Sequence, residues 1–139
     1  MGLYVTWRCC RRKHYQEIPF VWYLLILLFL TVTGRISSKE VRILIIPIWK
    51  FGLEELVNVV IFVPLGFLWN CMCCKKYSLT RSVSVGICIS CGIEILQLIF
   101  HKGTFETMDI ITNTCGTIIG YLIFNCFLIV KKKRCERFS

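Results

Sequence analysis

The stretch that decides the fold runs from Leu56 to Cys74 and reads LVNVVIFVPLGFLWNCMCC. It contains no charged residue, and it is close to the roughly 20 residues that a helix needs to cross a hydrocarbon layer of about 30 Å. Three further stretches are nearly as free of charge: Ile18–Gly34, Ser82–Phe100 and Ile110–Val130. With 56% hydrophobic residues and a mean hydropathy of +0.68, the chain is too apolar for an ordinary water-soluble domain. We therefore predict an all-α membrane protein, a four-helix transmembrane bundle that forms one domain over residues 1–139.

The basic residues predict the orientation of this bundle. The formal net charge is +9, and the 17 Lys and Arg residues lie at the ends of the apolar stretches. If both chain ends face the cytoplasm, twelve of the 17 lie inside and five lie in the two outer loops. Such a bias predicts an N-in, C-in protein that crosses the inner (cytoplasmic) membrane several times. The same confinement to helix ends argues against a nucleic acid partner.

The segment between the first two helices is predicted to be an apolar outer loop. Its middle, Val41–Trp49, is apolar but too short to span a membrane, which favours an interfacial or re-entrant segment. An ordinary loop packed over the bundle is the alternative. The first apolar stretch also resembles a signal peptide, but Thr33-Gly34-Arg35 offers no small-x-small cleavage site, so we expect a retained helix.

The ten cysteines predict neither disulfides nor a metal site. None lies in a predicted outer loop, and those in or beside the cytoplasm meet reducing conditions. The crowded Cys71-Met-Cys-Cys tract lacks a second pair of ligands at zinc-site spacing. No phosphate-binding loop or nucleophile motif is present, so we expect no cofactor.

Five polar side chains interrupt the apolar helices, and the predicted orientation places all of them in the outer half of the membrane. Glu94 lies six residues from the outer end of its helix, about 9 Å deep, with Gln97 on the same helix face. Asp109 and Asn113 share a face of the fourth helix, and Asn58 lies near the outer end of the second. Because polar groups inside a membrane are costly, these residues predict a ligand-binding polar cluster between helices two, three and four.

A structural role is the alternative for part of this cluster. Asn58 and Asn113 are residue types that also join helices by hydrogen bonds. Glu94 needs a partner or a proton at its depth, which favours a functional site. His101, Lys102 and Glu106 are predicted to lie at the rim.

Four residues are predicted to shape helix packing. Pro64 and Gly66 lie inside the second helix, where a kink is expected. Gly116 and Gly120 form a smooth stripe that lets a neighbouring helix approach closely.

Sequence motifs in three of the predicted helices resemble the motifs of the VanZ-like family of membrane proteins. The second helix reads NVVIFVPLGFL over Asn58–Leu68. The third ends with Ile93–Gln97, in which Glu94 and Gln97 form a Glu-x-x-Gln pair. The fourth opens with Glu106–Gly116 and continues to Gly120-Tyr. The resemblance covers about residues 42–127. Met108-Asp109 departs from the two adjacent acids of many members, which weakens any role that needs adjacent carboxylates.

The resemblance implies a setting in the bacterial cell envelope, since the founding member of the family is associated with low-level resistance to teicoplanin. Our leading hypothesis is a non-enzymatic protein that binds a lipid or lipid-linked envelope precursor at the outer leaflet and contributes to glycopeptide resistance. One alternative is a membrane enzyme acting on a lipid head group, with Glu94 or Asp109 as general acid or base. The other is a structural or assembly protein whose unidentified partner contacts the Gly116 and Gly120 face.

Overall fold

The computed structural model describes residues 13–33, 43–44, 52–73, 78–100 and 105–137. Over these residues the chain forms four α-helices and one pair of two-residue strands. In chain order the elements are α1 (Lys13–Thr33), β1 (Ile43–Leu44), α2 (Leu53–Met72), α3 (Leu79–Ile99), β2 (Phe105–Glu106) and α4 (Thr107–Arg137).

Three of the helices, α2, α3 and α4, are long and apolar enough to cross a membrane. The apolar part of α1, Glu17–Thr31, is shorter. Large apolar side chains such as Trp22, Phe29, Val60 and Ile111 are exposed around the outside of the bundle. An apolar surface of this extent suits contact with lipid far better than contact with water. The predicted helical architecture is therefore confirmed, whereas four spans and their orientation stay predictions.

The helix ends follow from short polar signals. Before α2, the Glu55 carboxylate accepts a hydrogen bond from the Gly52 backbone N–H at 2.7 Å, and acidic residues suit the positive end of a helix dipole. Before α3, the Ser78 hydroxyl accepts from the Arg81 backbone N–H at 3.3 Å, a common N-cap arrangement.

Helix α4 extends seven residues beyond its predicted end at Val130. The added turns carry Lys131–Arg134, whose side chains are exposed. Their charge excludes these residues from a hydrocarbon layer. Lys and Arg are nevertheless good helix formers, so the helix continues beyond the end of its apolar segment.

Helices α2 and α4 pack backbone against backbone, and this contact forms the centre of the fold. A Cβ atom on Gly116 would collide with the Val59 carbonyl group, and one on Gly120 with the Val63 carbonyl. On the other side, a Cβ atom on Gly66 would collide with the Thr117 carbonyl. The neighbouring helix that approaches the Gly116 and Gly120 stripe is α2 of the same chain, so this stripe is not open to another protein, as the assembly alternative required.

Pro64 lies in α2, which continues through it as one helix, and its side chain is exposed on the outside of the bundle. Proline cannot donate the usual backbone hydrogen bond, so a position on the outer face leaves the contact with α4 undisturbed. Of Pro64 and Gly66, it is therefore Gly66 that allows the close packing of α2 on α4.

Helix α1 packs on α2 through side chains. The Tyr23 hydroxyl donates to the Ile61 backbone carbonyl at 2.6 Å. Further along, the rings of Phe20 and Trp69 lie 5.7 Å apart. A tyrosine bonded to a helix carbonyl needs no solvent, which suits a contact inside a membrane.

The two short strands pair in parallel, with Ile43 opposite Phe105 and Leu44 opposite Glu106. This pairing ties part of the predicted outer loop to the residues just before α4. Neither of the two interpretations given for that loop included a strand. The rest of the predicted apolar segment lies outside the described residues.

Candidate functional site

One cavity of about 650 Å³ collects all five polar residues that the sequence singled out. They are Asn58 on α2, Glu94 and Gln97 on α3, and Asp109 and Asn113 on α4. Helix α1 closes another side, so all four helices contribute to the wall. The other lining residues are Leu30, Thr31, Leu53, Glu54, Val57, Ile61 and Ile93.

Glu94 is held by the backbone that precedes α4. Its side chain is only 1% exposed, and Oε2 accepts a hydrogen bond from the Glu106 backbone N–H at 3.1 Å. Glu106 belongs to β2, so this bond joins α3 to the strand pair. A buried acidic side chain that accepts a backbone N–H is better stabilised than one in an apolar wall, and this bond is one contact by which the fold accommodates Glu94.

Asp109 and Asn58 join α4 to α2. Asn58 Nδ2 donates to Asp109 Oδ1 at 2.9 Å, and Asp109 is 6% exposed. This bond between amide and carboxylate also fixes the orientation of the Asn58 side chain, because only its nitrogen can donate.

Gln97 joins α3 to α1 and leaves its oxygen without a donor. Its Nε2 donates to the Thr31 backbone carbonyl at 3.0 Å, while Oε1 is buried with no hydrogen-bond partner in the described part of the chain. A carbonyl can only accept, so the amide cannot turn round and place its oxygen there. Among the described residues, this oxygen is therefore an acceptor without a donor.

Asn113 joins α4 to α3, but its partner is a hydroxyl, which can both donate and accept a hydrogen bond. Its Nδ2 donates to the Ser90 hydroxyl at 2.8 Å, and its buried Oδ1 has no donor among the described residues. Leaving a buried acceptor unsatisfied costs about 1–3 kcal/mol. Each of these two oxygens carries such a cost within the described part of the chain.

The apolar part of the lining reaches the outside of the bundle. Leu30 on α1 and Leu53 and Val57 on α2 line the cavity, and at least half of each side chain is exposed. The cavity therefore opens toward the apolar outer surface between α1 and α2.

A second polar cluster, which sequence reasoning missed, lies near the other end of α2. Asn70 Nδ2 donates to the Gly66 carbonyl at 2.7 Å and to the Ser82 hydroxyl at 2.9 Å. The Ser82 hydroxyl lies 3.1 Å from both Asn70 Oδ1 and the Ser78 carbonyl. These groups satisfy one another, so this cluster is structural. Its signal in the sequence is an Asn and a Ser on either side of a short connection, which places them opposite each other on antiparallel helices.

Other contributors to the cavity were also missed. The Ser90 hydroxyl accepts a hydrogen bond from the Asn113 amide. Thr31 contributes its backbone carbonyl, which cannot be predicted from the residue type because every residue has one. Of the predicted rim, Glu106 supplies its backbone N–H to Glu94, whereas His101 and Lys102 lie outside the described residues.

Metal-binding groups do not gather in the part of the chain that the structure describes. No three His, Cys, Asp or Glu side chains there lie close enough together to hold an ion. The cysteines whose side chains are described are free thiols.

Long apolar helices around a cavity with a polar wall are the features of a helical membrane protein with an internal cavity. The chain belongs to the VanZ/LLP1 family, whose pattern matches residues 8–129. It is 27% identical to Protein VanZ from Enterococcus faecium over 109 residues, which are 77% of this chain and 67% of that protein. No solved structure shows significant similarity. The family match extends further than residues 42–127, because it includes the first helix.

Proposed function

We propose that the protein crosses the bacterial inner membrane several times and binds a lipid or lipid-linked envelope precursor in the cavity, thereby contributing to glycopeptide resistance. The observation that carries this proposal is the single cavity shared by the five polar residues, whose lining opens to the apolar surface. Membership of the VanZ/LLP1 family supports a role in teicoplanin resistance.

The predicted orientation gives this cavity its place in the membrane. Asn58 and Asp109 lie near the starts of α2 and α4, and Gln97 lies near the end of α3. In antiparallel helices these positions fall at one end of the bundle, opposite the end where Lys131–Arg134 emerge. With basic residues on the cytoplasmic side, the cavity faces the outer leaflet.

The first test is the teicoplanin susceptibility of a sensitive host that expresses the wild type, Glu94→Gln or Asp109→Asn. Gln at position 94 keeps an oxygen that can accept from the Glu106 N–H, so this change removes charge with little change of shape. We expect the wild type to raise the inhibitory concentration and both variants to lose this protection.

The control is Asn125→Leu on α4, because Asn125 does not line the cavity. Membrane levels are matched by immunoblot. Full protection by both cavity variants would contradict a role for the cavity. No protection from well-expressed wild type would remove the resistance role and leave ligand binding to be tested alone.

A second candidate function is catalysis on a lipid head group. It is favoured by one observation, the presence of two buried carboxyl groups, Glu94 and Asp109, in the same cavity. One carboxyl could act as general acid or base. Catalysis requires that Glu94→Gln abolish turnover of added lipid, measured by mass spectrometry, while abundance and thermal stability stay unchanged. Unchanged turnover in that variant, or none in the wild type, would exclude it.

A further inference from the structure

We propose that the carboxyl-terminal part of α4 binds anionic phospholipids through a basic turn formed by Lys131, Lys132, Lys133 and Arg134. With the predicted orientation, the lipids are those of the cytoplasmic leaflet. The basic turn lies at the opposite end of the bundle from the cavity, so this inference does not depend on the proposed function.

The position of the basic turn along α4 matches the depth of lipid head groups. Phe127, Ile129 and Val130 directly precede it, and more than half of each side chain is exposed, which suits contact with lipid up to the end of the apolar segment. Lys131 follows Asp109 by 22 residues, or about 33 Å of helix, close to the roughly 30 Å of a hydrocarbon core. A helix with Asp109 near one membrane surface therefore brings Lys131 to the head groups of the other.

The basic turn also extends beyond the neighbouring helix α3. Gly86 on α3 lies against Thr117 on α4, and α3 begins seven residues before this contact, whereas Arg134 lies 17 residues after it. Because the two helices run antiparallel, α4 reaches about 15 Å past the start of α3. All four side chains of the basic turn are exposed. Molecules around the bundle can therefore reach this surface.

The arrangement of the four charges fits a layer of anions around the helix. Successive residues of an α-helix are turned by about 100°, so four in a row point to nearly every side of the axis. A partner protein or a nucleic acid would meet one side of such a ring, whereas the head groups of surrounding lipids meet all of it. The long side chains also let the charged ends reach the phosphates while their CH₂ groups stay near the apolar segment.

The charge at this end of the bundle favours an anionic lipid over a neutral one. With the predicted orientation, twelve Lys and Arg residues lie on the cytoplasmic side, where the acidic residues are Glu17 and Glu136. A basic residue near an anionic membrane surface strengthens binding about five-fold. Zwitterionic lipids carry the same phosphate, but their own ammonium group cancels its charge. Anionic lipids should therefore bind more tightly.

The test compares two lipids on the purified full chain in detergent by native mass spectrometry. The probes are dioctanoyl phosphatidylglycerol, which is anionic, and dioctanoyl phosphatidylcholine, which is neutral overall. We expect phosphatidylglycerol to bind roughly five- to 25-fold more tightly, the effect of one or two basic side chains on each head group. The preference should shrink when ammonium acetate is raised from about 0.1 M to about 1 M, because the Debye length falls from about 10 Å to about 3 Å.

Two matched variants test whether the basic turn causes this preference. The neutral variant carries Gln at all four positions, as Lys131→Gln, Lys132→Gln, Lys133→Gln and Arg134→Gln together, and should bind the two lipids equally. The charge-preserving variant carries Lys131→Arg, Lys132→Arg and Lys133→Arg and should keep the preference. Thermal melting identifies a variant that fails to fold, and the comparison of the two lipids at low and high salt on the wild type needs no variant.

Equal binding of the two lipids to the wild type, or a preference that salt does not change, overturns the inference. A preference that survives in the neutral variant belongs to another part of the chain and overturns it as well. Displacement of phosphatidylglycerol by inorganic phosphate at similar concentration, or by a short DNA duplex at lower concentration, overturns the assignment to a lipid. None of these outcomes bears on the cavity, whose role is tested separately through Glu94 and Asp109.

Discussion

Replacement of Gly116 by Ala tests the backbone contact between α2 and α4 most directly. The added Cβ would lie 2.8 Å from the Phe62 Cβ and would collide with the Val59 carbonyl. The first distance alone is about 0.7 Å shorter than the closest favourable carbon contact of roughly 3.5 Å. Neither neighbouring atom is the end of a flexible side chain, so relief requires the two helices to separate.

The size of the effect follows from two opposing terms. Overpacking of a tight contact costs about 1–3 kcal/mol, while exchange of Gly for Ala within a helix gains about 1 kcal/mol. Gly92→Ala on α3 has the same helix gain, but nothing lies within 4 Å of its added Cβ. The difference between the two variants therefore isolates the overpacking cost, and we expect Gly116→Ala to be less stable than Gly92→Ala by about 1–3 kcal/mol.

The assay is unfolding in mixed micelles of increasing dodecyl sulfate content, followed by far-ultraviolet circular dichroism. The dodecyl sulfate content at the unfolding midpoint should be highest for Gly92→Ala, lower for the wild type and lowest for Gly116→Ala. If Gly116→Ala unfolds at the same midpoint as Gly92→Ala, the two helices do not meet backbone to backbone and the packing described above is wrong.

Three further predictions use other contacts. Asn70→Ala should destabilise the protein by about 1–3 kcal/mol in the same assay, because it leaves its buried partners unsatisfied; a loss no greater than that of Asn125→Ala would refute this. Tyr23→Phe should cost about 1 kcal/mol through the lost bond from α1 to α2, and Tyr121→Phe serves as its control. Green fluorescent protein fused to the carboxyl terminus should fluoresce and alkaline phosphatase fused there should be inactive; the reverse result would place the cavity on the cytoplasmic side.

The helices were predictable because lipid imposes a simple rule on sequence. A chain that avoids charge for about 20 residues has few structures other than a helix available in a membrane, and each of the four apolar stretches is helical over nearly all of its described length. The ends were less predictable: α4 continues to Arg137 because helix formation and apolarity are separate properties. The strand pair was missed because two residues carry too little pattern to predict pairing.

The cavity was predictable in part for a related reason. Asn58, Glu94 and Asp109 are rare residue types in apolar helices, and their depths along the helices place them at one level. Their partners were not predictable, since Glu94 is bonded by a backbone N–H and Gln97 by a backbone carbonyl. Backbone groups are present at every residue, so only coordinates show which one faces a given side chain.

The close approach of α2 and α4 also decides which wall of the cavity can move. At Gly66 and Gly116 the two helices meet backbone to backbone, and no rotamer change can separate them there, so we expect them to shift as one rigid pair. Helix α1 is attached through side chains instead, at Tyr23 and through the bond from Gln97 to Thr31. A ligand larger than the cavity would therefore gain room by displacing α1, which would break the hydrogen bond between Gln97 and Thr31.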